Sequence, residues 1–166
     1  MDRRSFLLSL GAGAVVGTSG CVGGGRVVLE RNKTVTVQPE MGWWLKLPDV
    51  GGNGALTFTV SAAQPFDIYY FTDTRSFEHY ETYVKGGDPE EMPPGHRKLS
   101  QGAVERDGEY GVEEPADGGR RSISTTGDHY FVVDHSNYGA GVPVDQYGDS
   151  LRAFVDLKVI DEQSPI

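Results

Sequence analysis

Alternating apolar and polar residues dominate this chain, and they predict strands. From Ala55 to Ser61 the alternation is strict, with Leu56, Phe58 and Val60 on one side and Thr57 and Thr59 on the other. That period of two marks a strand buried on one face. Residues 66–71 repeat it, with Phe66, Ile68 and Tyr70 on one face and Asp67, Tyr69 and Phe71 on the other. They are expected to pair with the first run across a turn at Gln64-Pro65. Further short strands are predicted over 26–30, 33–38, 42–47, 103–105, 122–124 and 152–160.

The most buried-looking stretch lies between Gly127 and Gly139. Tyr130, Phe131, Val132 and Val133 stand together, with Gly127-Asp128 before them and Asp134-His135-Ser136-Asn137 after. This predicts a central strand running into a tight polar turn, in which Asp134, His135 and Asn137 serve structure. One segment breaks the strand pattern. Phe77, Tyr80, Tyr83 and Val84 recur at steps of three and four, which predicts a short amphipathic helix or turn covering a sheet edge. Hydrophilic loops are expected over 86–97, 107–119 and 138–150. The fold predicted is all-β, a single antiparallel β-sandwich of eight or nine strands over residues 26–162.

Composition narrows the picture. At 166 residues the chain is one domain's worth. Its net charge of −9 leaves no basic stripe for phosphate, so nucleic acid is not expected as a partner. Acids are dispersed along the chain and lysine is scarcer than arginine, a pattern that resembles the surfaces of haloarchaeal proteins. A single cysteine, Cys21, rules out an internal disulfide.

The first residues explain that cysteine. Arg3-Arg4-Ser5-Phe6-Leu7-Leu8 opens a weakly apolar run that ends near Gly17, shorter than the roughly 20 residues a membrane-spanning helix needs. It resembles a twin-arginine export signal, with Arg3 and Arg4 as its recognition pair. Thr18-Ser19-Gly20-Cys21 resembles a lipobox, so Cys21 is expected to be lipidated and to become the new N-terminus. The two motifs together resemble haloarchaeal Tat-exported lipoproteins. That resemblance implies a signal peptide over 1–20 and a lipidated tether over 21–25. It places the domain on the outer face of the cytoplasmic membrane. Cleavage leaves 23 acids against 13 bases, a net charge of −10. Five tether residues reach only about 17 Å, which keeps the domain close to the membrane.

Trp43 and Trp44 are adjacent on a predicted strand and therefore point to opposite faces. With Tyr69, Tyr80 and Tyr83 they are the candidate binding surface, since exposed aromatics stack on sugars and on protein partners. Residues 65–70, the aromatic segment 77–83 and Tyr130-Phe131-Val132-Val133-Asp134 resemble small β-sandwich domains of the Golgi-dynamics (GOLD) type and their jelly-roll relatives. Such domains often carry Asn after the strand-ending Asp, where this chain has His135. The resemblance implies a non-catalytic interaction module and supplies no catalytic residues.

The chemistry-bearing residues do not assemble into a recognised motif. His129 and His135 share a strand face but stand about 20 Å apart, too far for one ion, and Asp134 lies on the other face. His79 and His96 sit in unrelated segments. Asp128, Asp134, Asp145 and Asp149 are loop-rich carboxylates of the kind that bind Ca²⁺, but they lack an Asp-x-Asp-x-Asp spacing. No metal site and no cofactor are expected. The reading is a lipid-anchored extracytoplasmic binding module whose partner is a cell-envelope or membrane protein, or less readily a glycan. The alternative is a cell-surface hydrolase or carbohydrate-processing domain using loop carboxylates and aromatics. An open aromatic cleft lined by paired acids would favour that alternative.

Overall fold

The computed structural model describes residues 25–86, 97–114, 121–138 and 149–162. Arg3 and Arg4 of the expected export signal, Cys21 of the expected lipobox, His96 and Asp145 lie outside them. The described residues form ten strands and one helix, arranged as two antiparallel sheets packed face to face. This is the β-sandwich that the alternation predicts.

The larger sheet is built on β10 (Leu151–Asp161), which pairs with β1 (Arg26–Val37) on one side and β3 (Gly54–Ala62) on the other. β7 (Glu109–Glu114) and β8 (Arg121–Ile123) both pair with the far side of β3, and β6 (Val104–Arg106) pairs with β7. The smaller sheet runs β2 (Met41–Leu47), β9 (His129–His135), β4 (Asp67–Phe71), β5 (Arg97–Gly102). Between the sheets lies the main core, with Leu56, Phe58 and Val60 of β3 facing Ile68 and Tyr70 of β4 and Phe131 and Val133 of β9. Helix α1 (Thr74–Val84) adds a third layer, closing a second core of Tyr69, Phe71, Phe77, Tyr80, Tyr130 and Val132.

That third layer explains why β4 and β9 read as near-continuous apolar runs. Both are buried on both faces along their whole length, between the larger sheet and α1. It also corrects the expected hairpin. β3 and β4 do not pair; the chain crosses from one sheet to the other between Ala62 and Asp67. Pairing them would put Tyr69 and Phe71 on the solvent side beside Thr57 and Thr59. Pro65, which has no N–H to offer a ladder, lies at the crossing.

Three other expectations change. The two N-terminal strands are one strand of twelve residues, paired with β10 through Arg31 and Asn32, with a bulge between Val27 and Leu29. The stretch 107–119 is not all loop, because Asp107 (φ 53°) and Gly108 (φ 82°) form a tight hairpin turn between β6 and β7. Two positive φ angles in succession fit the turn that Asp-Gly favours. The helix covers the broad face of β4 and β9 and not a sheet edge. Asp73 caps it, accepting from the Ser76 backbone N–H at 2.8 Å. Among the described residues, no helix is long and apolar enough to cross a membrane.

Candidate functional site

Two places in the molecule gather polar chemistry. One is a buried row beneath α1, and the other is the open face of the larger sheet.

The buried row follows from strand register. Gly42 of β2 lies opposite Asp134 of β9, Asp134 lies opposite Asp67 of β4, and Asp67 lies opposite Gly102 of β5. Gly42, Asp134 and Asp67 share the face that carries Trp44, Val132 and Tyr69, which is the face under the helix. The missing side chain at Gly42 makes room for Tyr80, because a Cβ there would stand 1.9 Å from the Tyr80 hydroxyl. From that hole the Tyr80 hydroxyl donates to Asp134 Oδ1 at 2.5 Å, and Ser136 Oγ donates to the same oxygen at 2.7 Å. Asp134 Oδ2 is buried and has no hydrogen-bond partner among the described residues.

Burial sets the electrostatics of this row. It raises the Asp134 carboxyl to about 6, with the neighbouring Asp67 charge adding to the rise. The bonds from Tyr80 and Ser136 oppose it. Burial alone raises Asp67. Burial and then the Asp134 charge push the Tyr80 phenol far above its usual range, so it remains a donor.

The proposed aromatic surface is largely interior. Tyr69 and Tyr80 are fully buried, packed against each other and against Tyr138. Trp44 is half-buried with its edge on Phe77, and Tyr83 is half-buried against Tyr138. Trp43 points the other way, onto the main core, with the Lys33 ammonium 5.5 Å from its ring. The two tryptophans do part to opposite faces, but α1 lies over the face that would have displayed the tyrosines.

The expected turn is also displaced. Asp134 and His135 are the last two residues of β9, and the turn is made by Ser136, Asn137 and Tyr138, with the Tyr138 N–H donating to Ser136 Oγ. Asn137 is half-buried there. His135 is fully buried, and its Nε2 donates to the Asp149 carbonyl at 2.9 Å, tying β9 to the approach of β10.

The described histidines serve separate partners. His129 bonds with the Tyr70 hydroxyl at 2.5 Å and with Thr125, and His79 bonds with the Tyr138 hydroxyl at 2.8 Å. The loop carboxylates stay apart as well. Asp128 pairs with Lys46 at 3.1 Å at one end of β9, Asp134 is interior at the other end, and Asp149 is exposed. Among the described residues no three His, Cys, Asp or Glu side chains come together to hold a metal. The paired acids that would signal a hydrolase do exist, as Asp67 and Asp134. They lie under a helix and do not line an open cleft.

The open face is the side of the larger sheet turned away from the core. Along β10 it shows Arg152, Phe154, Asp156 and Lys158. Phe154 breaks the polar pattern, since an aromatic ring 42% exposed stands among hydroxyls and charges. Its cross-strand neighbours are Thr34 on β1 and Ser61 on β3, so a hydroxyl flanks the ring on each side. With Arg152 and the hairpin residue Glu109, these three line an open groove of about 440 Å³. Sequence periodicity places Phe154 on the outer face, but only the register brings Thr34 and Ser61 beside it.

No known protein-family model matches the chain, and no curated protein resembles it closely enough to count as a match. The functional reading therefore rests on the molecule itself.

Proposed function

We propose that this protein is a lipid-anchored binding module of the cell envelope, and that the open face of its larger sheet takes a saccharide. The observation that carries this reading is the Phe154 groove. A sugar ring offers a flat C–H face for an aromatic side chain and a fringe of hydroxyls for planar, bidentate polar groups. Phe154 supplies the first, Arg152 and Glu109 supply the second, and Thr34 and Ser61 add a hydroxyl each. None of these four polar side chains makes a hydrogen bond or ion pair with another described residue. Their polar groups face solvent and require no rearrangement to meet a ligand. The anchor at Cys21, read from the sequence, would hold this face within a few nanometres of the envelope.

A saccharide panel presented to the purified protein tests the proposal, followed by titration of any binder against Arg152→Ala and Phe154→Ala. Each substitution should weaken binding at least tenfold and leave the melting temperature unchanged, because both side chains lie outside the core. Undiminished binding in the double variant removes the groove from the reading. Capture of an envelope protein through these same residues, with no saccharide bound at millimolar concentration, replaces the sugar with a protein partner.

A further inference from the structure

The buried row under α1 has a consequence independent of the groove. Asp67 and Asp134 are direct cross-strand neighbours on one face of the sheet, so their Cβ atoms stand about 5 Å apart. Asp134 is 1% exposed and Asp67 9%. Two ionised carboxylates held that close in a dry setting repel each other, and among the described side chains nothing cationic faces them. The buried face of α1 carries Ser76, Phe77, Tyr80 and Val84, and no basic residue. The strand neighbour on the β2 side is Gly42. The turn contributes Ser136 and Tyr138, and the other titratable groups described in this layer are Tyr69, Tyr80, Tyr83, Tyr130 and His79, the last engaged with Tyr138.

One oxygen of the pair is left over. Tyr80 and Ser136 both donate to Oδ1 of Asp134, while buried Oδ2 has no partner among the described residues. A proton on Oδ2 makes that atom a donor beside the neighbouring Asp67 carboxyl and removes the repulsion. Nothing else is consumed, because the proton comes from bulk water and Asp67 provides the slightly exposed route.

We propose that Asp67 and Asp134 form a proton-sharing pair that clamps α1 to the sheet in mild acid and loosens it toward neutral pH. The mechanical link is short, and the burial and repulsion that oppose ionisation outweigh the stronger acceptor an ionised Asp134 offers Tyr80 and Ser136. Asp134 holds Tyr80 of α1 directly, and through Ser136 it holds the turn carrying Tyr138, which packs on Tyr69, Tyr80 and Tyr83. The sign follows from burial. Asp134 binds its proton more tightly in the folded protein than the usual value of 3.8, so this contribution to stability is complete below that value. It is lost as pH rises through about 6.

Carbon-13 NMR of aspartate carboxyls in the full-length protein reads the pair directly, and amide exchange over 74–84 reads the clamp. Two coupled titrations are expected, one with its midpoint near 6, and Asp67→Asn should move the Asp134 midpoint to lower pH. After correction for intrinsic exchange rates, α1 should be at least tenfold better protected at pH 5 than at pH 7.5. That difference should vanish in Asp134→Asn and survive in His79→Gln. If Asp134→Asn fails to fold, the shift caused by Asp67→Asn decides alone. Carboxyls that both titrate below 4.5, or a protection change that follows His79 instead, would overturn the proposal.

Discussion

Gly42→Ala is the sharpest perturbation of this fold that adds only one carbon. The new Cβ would stand 1.9 Å from the Tyr80 hydroxyl and 2.9 Å from its ring carbon. Tyr80 has nowhere easy to go, being fully buried among Tyr69, Phe71, Phe77 and Tyr138. Either the ring shifts and gives up its bond to Asp134, or β2 moves away from the helix. Losing a hydrogen bond to a charged group costs about 1.5–3 kcal/mol. Overpacking a closed core costs about 1–3 kcal/mol more. Replacing a strand glycine returns about 0.5–1 kcal/mol. The balance is a destabilisation of about 2–5 kcal/mol, or on the order of 10 °C in melting temperature for a domain this size.

A double-mutant cycle separates this mechanism from a general dislike of alanine at the site. Tyr80→Phe removes the atom that the new Cβ strikes. In the Gly42→Ala background it should therefore cost at least about 1 kcal/mol less than in the wild type. Guanidinium unfolding of the four proteins measures both terms. Strict additivity, or a Gly42→Ala variant within about 0.5 kcal/mol of wild type, would refute the account of the Gly42 hole.

The remaining expectations are simpler. Asp73→Ala removes the side chain that caps α1 through Ser76 and should cost about 1 kcal/mol in urea unfolding, with Asp73→Ser recovering most of it. His135→Asn leaves the Asp149 carbonyl without its donor and a gap in a fully buried site, so about 2–4 kcal/mol should be lost by the same assay. The GOLD resemblance, in which Asn is the ordinary residue, would instead make that change silent. A processed chain of net charge −10 should melt clearly higher in about 1 M KCl than at about 0.1 M, as the Debye length falls from about 10 Å to about 3 Å. A melting temperature indifferent to salt would remove the halophilic reading.

What the sequence made legible is what depends on local period. β3 and β10 declare themselves because side chains two apart share a face, β9 by its unbroken apolar run, and the faces assigned to Phe66, Ile68 and Tyr70 and to Tyr69 and Phe71 are the ones observed. The helix was visible for the same reason at its own period. Partnership was less visible. Nothing local says that β3 turns away from β4, since that choice is made by the burial of Tyr69 and Phe71 under a helix that comes later in the chain. The Asp107-Gly108 turn did carry a local signal, hidden by the acids and glycines around it.

The candidate sites show the same division more strongly. That Asp67 and Asp134 each lie on a named face of a strand is legible from parity, which by itself leaves Asp67 a polar residue beside Tyr69 and Asp134 a turn residue. Their meaning comes from a register spanning β2, β9, β4 and β5, which places two acids side by side between two glycines. The aromatic residues went astray for a related reason. Tyrosine is amphipathic, and sequence alone cannot tell a ring that waits for a ligand from one whose hydroxyl already has a partner. Tyr80 has Asp134, and the third layer covers it. Phe154 has no hydroxyl to satisfy and stands on a face that no third layer covers among the described residues. An aromatic side chain there gains little by folding, and so it is the ring on which the proposed saccharide groove rests.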